Sequence, residues 1–459
     1  MVNFLDEFFF RVSEVTDAPD VFIQACGYFL VSTAMGVKVD PIYFKSVNVW
    51  FMFSSIPWLT RRSTLISDLT IPILKKSYAI YLQNEFGVEE KEAKKIANYM
   101  IIESGSPEGI CDDIMEAIEN VKMDRFAIVS PEFGGIIKSI NKRDYLIGLF
   151  QLLSKLYSGE EHKQSLSKRR KQKSRYIPPG LYVTALLGMQ EPKLYLTREQ
   201  FEQGLMRRII FIYQHPKHKT RWMSLFDVRR RIMWDEIFDE TSGIVGDLAQ
   251  RIQNFTSPSI DRVVVEYKGK DFIKFKEEYD ELEKSAENKI KQDPQNLLNY
   301  FEIACVSNLP KLAILNTLSR YKEPIKKGNE YVVYFEYKDF EKALEFIKSV
   351  FEFSKDAIIE LDTYLPKKLE PLPVTGKVDQ TLELIRKSGS NGISDAELLK
   401  QTGIYRLTLK EILLTLARRK DIYIFQFDKH IKFFYKDYKE EAEQMGGKLL
   451  PPKIFDSIW

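Results

Sequence analysis

Two kinds of apolar run alternate along the first 258 residues: longer mixed stretches of helical character, and short stretches almost unbroken by polar residues. V-N-V-W-F-M-F (47–53), R-F-A-I-V-S (125–130), L-Y-V-T-A-L-L-G (181–188) and R-R-I-I-F-I-Y (207–213) are short, β-branched and aromatic. That is the pattern of strands buried on both faces. T-L-I-S-D-L-T-I-P-I-L-K-K-S-Y-A-I-Y (64–81) reads as a helix that carries Pro72. Strand, loop and helix in alternation predict an α/β fold with a parallel sheet. The apolar stretch 21–36 is short and is interrupted by Gln24, Ser32 and Thr33. It predicts a core helix, and no membrane partner.

From 259 to 364 the pattern is mostly helical, broken by a short V-V-Y-F strand. Residues 365–376 hold three prolines in twelve residues and read as a linker. Beyond it, 377–438 shows a helix ending at Gly389, a second opened by Ser394 with Glu397 three residues on, and a third over 405–420. I-Y-I-F-Q-F (422–427) and I-K-F-F-Y (431–435) then form a hairpin around D-K-H. Three helices and a hairpin are the order of a winged helix-turn-helix. Residues 439–459 read as a tail, with a frayed end or a partner-binding peptide as its two readings.

Composition narrows the class. A chain of 459 residues with 44% hydrophobic residues fills about three domains and excludes global disorder. The charge, 68 basic against 65 acidic residues, excludes a histone-like polycation but hides local patches. Cys26, Cys111 and Cys305 form no CxxC pair, and His162, His215, His218 and His430 offer only one close pair. Zinc and a disulfide framework are therefore not expected. With no basic-apolar leader at the start, a soluble, cytoplasmic protein is expected.

A P-loop needs glycines that let main-chain N–H groups close around phosphate, a lysine for the β/γ-phosphates and a Ser/Thr hydroxyl for magnesium. Residues 54–64 follow the first strand, where such a loop belongs. In that register Ile56 and Arg61 fill the glycine positions, Arg62 the lysine position and Ser63 the hydroxyl position. An ordinary strand-to-helix loop fits the same residues. Downstream come Ser106-Pro107-Glu108-Gly109, then Glu132-Phe133-Gly134 at the end of a buried strand, with Pro131 before the glutamate. Leu156-Tyr157 and Gly204-Leu205-Met206-Arg207-Arg208 follow.

Together with Arg61-Arg62-Ser63-Thr64, this order resembles the primase-associated, helicase-like P-loop ATPases of phages, plasmids and integrated elements, over about residues 20 to 350. The resemblance implies a P-loop NTPase (AAA+/RecA-like) core with a parallel sheet over 1–258, ATP and Mg2+ as cofactors, and a homo-oligomer such as a hexameric ring. It implies DNA as partner, with a primase or other replication protein beside it. Arg61, Arg62, Ser63, Thr64 and Gln190 would hold nucleotide, with magnesium at Ser63. Glu132 would be the catalytic carboxylate, and Arg208 an arginine finger or sensor. Read without the resemblance, Glu132 is a capping or paired surface acid, and Arg207 and Arg208 are solvated turn charges.

H-K-Q-S-L-S-K-R-R-K-Q-K-S-R (162–175) holds seven Lys/Arg and no acid. Lys168, Arg169, Arg170, Lys171, Lys173 and Arg175 suit the backbone of nucleic acid, as a pore-lining insertion would. A solvated loop is the alternative. In the winged helix, Tyr405, Arg406 and Lys410 open the third helix and Arg418, Arg419 and Lys420 end it, with Lys429, His430 and Lys432 on the wing. These suit phosphate contacts, although such modules also dock proteins. The expected function is thus a helicase-like, DNA-binding P-loop protein in replication of a mobile element or its host. A site lacking both glycines leaves the ATPase/helicase activity open. The rivals are a non-catalytic DNA-binding scaffold or loader and a winged-helix transcriptional regulator.

Overall fold

The computed structural model describes residues 3–55, 62–103, 105–140, 148–164, 175–192, 196, 206–215, 228–365, 374–402, 406–427, 430–452 and 455. The chain divides into two compact units, Met1–Pro366 and Lys367–Trp459.

The first unit is built on a parallel sheet of β2 (Trp50–Ser54), β3 (Ile101–Ile102), β4 (Arg125–Ser130), β7 (Tyr182–Met189) and β8 (Ile209–Tyr213). Their order across the sheet is β3-β4-β7-β2-β8, and every pairing is parallel. All of β2 and all of β7 are buried, as unbroken apolar runs covered on both faces must be. The four strands expected between 47 and 213 are these central ones, with ends moved by at most three residues. β5 (His162–Gln164) and β6 (Arg175–Ile177) form a separate antiparallel hairpin just before β7.

Helix α2 (Asp20–Met35) is apolar on every side, which demands burial on every side. Among the described residues, Asp20–Lys38 is the helical stretch long and apolar enough to cross a membrane; 83% of its most apolar window lies inside the protein. Polar threads tie it down: Thr33 Oγ1 lies 2.7 Å from Thr184 Oγ1, and Ser32 Oγ 2.9 Å from the Tyr182 hydroxyl. After α1 (Phe4–Ser13) and α2, the expected helix at 64–81 is in two parts. Thr64–Thr70 is π-helical, and α3 (Ile71–Phe86) carries Pro72 in its first turn. Proline has no N–H for the ladder and crowds the preceding turn, and the widened turn ends where it stands. α4 (Glu90–Tyr99), α5 (Pro107–Val121), α6 (Phe133–Ile140) and α7 (Gly148–Ser158) follow.

The region 259–364 is not a separate extension. After α8 (Val228–Ile237) and α9 (Ile244–Thr256), β9 (Val263–Tyr267) pairs in parallel with β1 (Val39–Asp40) and with β11 (Glu330–Phe335), which pairs antiparallel with β10 (Ile325–Lys327). α10 (Gly269–Gln292), α11 (Leu297–Arg320) and α12 (Tyr337–Tyr364) add side chains to the same core as β2 and β7. A boundary at 258 therefore falls inside one unit.

The second unit holds α13 (Val374–Lys387), α14 (Asp395–Thr402) and α15 (Arg406–Arg418). Its antiparallel sheet runs β12-β14-β13-β15, from Ile393–Ser394, His430–Tyr435, Ile422–Phe427 and Lys448–Leu449. The Ser394–Glu397 capping box is formed, with Ser394 N–H to Glu397 Oε2 at 2.9 Å and Glu397 N–H to Ser394 Oγ at 3.3 Å. Residues 439–452 are not a tail. α16 (Lys439–Gln444) covers one face of the hairpin, β15 pairs with Phe425 and Gln426, and Phe455 is buried edge-on against Phe433.

Candidate functional site

In a parallel sheet, loops at the carboxyl ends of the strands gather the groups that can meet a ligand. Here the exits of β2, β4, β7 and β8 do so. β2 leaves at Ser54, whose hydroxyl donates to Gln190 O at 2.7 Å, while Gln214 N–H donates to Ser54 O at 2.9 Å. The exits of β7 and β8 are thereby pinned to β2. Residues 56–61, Arg61 among them, lie outside the described residues.

The chain resumes in helix at Arg62, which turns inward. Its side chain is 3% exposed; one Nη donates to Met189 O, and the other to Pro131 O at 3.0 Å and Glu132 Oε1 at 3.4 Å. Its Nε is buried without a hydrogen-bond partner among the described residues. Burial lowers the guanidinium's pKa, opposed by the charge of Glu132. The space is tight: a Cβ on Gly188 would stand 2.4 Å from Pro131 O and 2.9 Å from Arg62 Nε. Only glycine lets Arg62 pass between β4 and β7. Ser63 is exposed, Thr64 half-buried, and the Glu132 side chain is 64% exposed.

The structure thus brings Arg62, Glu132 and the main chain at Gln190 to one place. Ser63 and Glu132 are oxygen donors of the kind magnesium takes beside phosphates. Arg62, the cation a nucleotide would need, is already engaged with two carbonyls and Glu132. With 56–61 outside the described residues, no hydrolytic step is assigned to this group. Among the described residues no group of three or more His, Cys, Asp or Glu could hold a metal ion. Sequence reasoning weighed His215 only as a zinc ligand; it stands past the exit of β8 with Nε2 3.0 Å from Glu360 Oε2. The buried Gln214 beside it has no partner for Oε1 among the described residues. The only signal was the H-P-K-H pair, which reads as a weak metal motif.

Arg208 lies at the other end of the sheet, in the turn Met206–Arg208 that enters β8. Strands rise roughly 3.3 Å per residue, so about 15 Å of β8 separates it from the exits. Glu132 and Arg208 of one chain are therefore not brought together. Arg208 lies over the Tyr157 ring, 5.7 Å from guanidinium carbon to ring centroid. Lys311 Nζ donates to the Tyr157 hydroxyl and Asn48 Oδ1 at 2.8 Å each, and to Asn48 O at 2.9 Å. Burial, with Arg208 adding to it, pushes Lys311 down to about 7.

Of the basic segment, Lys168, Arg169, Arg170, Lys171 and Lys173 lie outside the described residues. Arg175 opens β6 and grips Asp112 of α5 two-handed, at 2.5 and 2.8 Å, which anchors the base of the hairpin. In the second unit Arg406 opens α15, and Lys410 is half-buried on it. Arg418, Arg419 and Lys420 are exposed at its end, whereas Tyr405 and Lys429 lie outside the described residues. Lys432 Nζ donates to Asn391 O at 3.0 Å. Set against known proteins, the sequence matches no family model and no curated protein.

Proposed function

We propose that this chain is a helicase-like, DNA-binding protein on a P-loop ATPase scaffold, which acts as a homo-oligomer in replication of a mobile element or its host. One observation carries the reading. The sheet order has an added strand, β7, between the strand that leads into 54–64 and the strand that delivers Glu132. A parallel sheet that carries both segments at the carboxyl ends of its strands is what the motif order implies. The position of Arg208 agrees with it: remote from its own Glu132, it would serve a neighbour's site. The hairpin β5–β6 agrees as well, since its two strands flank the basic part of the sequence immediately before β7. In the second unit, β12 closing on β14 after helix α13 and before α14 and α15 supports a winged helix.

The buried Arg62 favours the scaffold form of this reading over an active ATPase. The guanidinium is already engaged by Met189 O and Pro131 O, and in this conformation it is not free to pair with phosphate. DNA is then held by Lys and Arg against phosphates, without sequence preference and with strong salt dependence. A primase or another replication protein is the partner this role calls for.

Fluorescence anisotropy with unrelated duplex and single-stranded oligonucleotides, repeated across salt, tests the DNA part. Binding that falls steeply with salt on every sequence is expected; a footprint at one defined sequence would mean a transcriptional regulator instead. DNA-stimulated ATP hydrolysis tests the rest. Wild type and Glu132→Gln should give the same background, and activity that Glu132→Gln abolishes would establish the enzyme.

A further inference from the structure

Basic residues of the second unit gather where three of its elements end. Arg386 and Lys387 close α13, Arg418 closes α15 with Arg419 and Lys420 behind it, and Lys436 follows β14. The fold brings these ends together. Lys436 N–H donates to Asp421 O at 3.1 Å, and Ile422 pairs with Tyr435 at the base of the hairpin. The Tyr435 ring joins α13 to them, with the Arg386 guanidinium carbon 5.7 Å and Lys436 Nζ 5.8 Å from its centroid. Arg386, Lys387, Arg418, Arg419, Lys420 and Lys436 are all exposed.

A cation in the last turn of a helix offsets the carbonyl end of the helix dipole, which accounts for part of this cluster. It does not account for Lys436, which follows a strand, or for so many cations on one surface. Carboxylates do not neutralise them. Glu383 reaches Arg386 at 4.0 Å and Lys387 at 3.8 Å, and exposed pairs of this length contribute little. Asp421 and Asp437 are the other acids beside the cluster, and among the described residues neither forms an ion pair with it. The wing end of the hairpin, roughly 17 Å along the strands, has a different character. There His430 is exposed, Lys432 Nζ donates to Asn391 O at 3.0 Å, and both line one cavity with Glu397.

We infer that the base of this hairpin, and not its wing, is where the second unit holds the phosphate backbone of DNA. Arg386, Arg418 and Arg419 carry planar forks that take phosphate oxygens two at a time, and the lysines add point charges between them. Duplex DNA has a negative charge about every 1.7 Å of its axis, a density that matches so many cations on one surface better than the scattered carboxylates of an acidic protein do. Contacts to phosphate alone position the unit without reading sequence. The inference rests on the DNA-binding reading above and names the face of the second unit that carries it.

Fluorescence anisotropy of the full chain with one duplex, repeated across salt, tests it. Each phosphate contact contributes about −0.9 to the slope of log K against log salt. Arg418→Gln with Arg419→Gln and Lys420→Gln should therefore make the slope shallower by about three, and Arg386→Gln with Lys436→Gln by about two. His430→Ala with Lys432→Ala should leave it unchanged. Hydrogen exchange of the wild type with and without the duplex reads the same surface without a substitution. Protection should be gained at 417–422 and 434–437, and not at 426–432. A slope indifferent to both sets of base variants, or protection confined to the wing, would overturn the inference and leave DNA binding standing. A wild type that binds no duplex even at low salt would sink the DNA reading as well.

Discussion

A charge inside a protein is tolerated only in so far as partners replace the water it has lost, and Arg62 and Lys311 meet that demand differently. Arg62 keeps its charge by bridging carbonyls of two strands beside Glu132. Its position after the first strand was legible, but its inward turn was not. That turn depends on Met189, Pro131 and the missing Cβ of Gly188, all far away in sequence. Lys311 drew no notice in the sequence, as one lysine in a long helix beside Pro310. Its low proton affinity gives a signed prediction. An unfolded lysine holds its proton up to 10.5, whereas the folded one releases it near about 7. In between, the unfolded chain binds more protons, so this residue makes stability rise with pH, by at most about 1.4 kcal/mol per pH unit. Denaturant unfolding between pH 7 and 9 should show a flatter slope for Lys311→Met than for wild type; equal slopes would show that Lys311 is not the source.

Elements that were legible are those whose pattern is set by their own residues. The central strands and the hairpin announce themselves through apolar runs of β-formers, and α2 through apolar residues on every side. Where an element depends on a distant partner, the pattern misleads. Residues 439–459 are rich in charge and carry two prolines, yet Leu450 and Phe455 are buried and β15 pairs with β13. A buried Phe-to-Ala change typically removes about 3–5 kcal/mol. Phe455→Ala in the full chain should therefore raise hydrogen exchange across β13 and β14 while leaving β2 and β7 protected. Unchanged exchange in the hairpin would return this segment to the status of a loose end.

For the whole molecule, the first 366 residues form one compact unit. β1 near the N-terminus has β9 as its partner, and α11 and α12 close the core around β2 and β8. A fragment of residues 1–258 should therefore show no cooperative thermal transition by circular dichroism, whereas 1–366 should show one. A cooperative transition in the shorter piece would restore a boundary there. The net charge of +3 is equally a whole-molecule average. It conceals an acidic α5 and a basic segment at 162–175.

The amino-acid sequence by itself determined the α/β class, the central strands, the core helix, the capping box at Ser394 and the order of the motifs, because each follows from the periodicity of neighbouring residues. Only the tertiary structure decided that Arg62 turns inward, that Arg208 stands at the opposite end of the sheet from Glu132, and that 259–364 shares the first core. These outcomes depend on residues from one to several hundred positions apart, such as Val39 beside Val263, whose meeting is selected by packing and register and leaves no local trace.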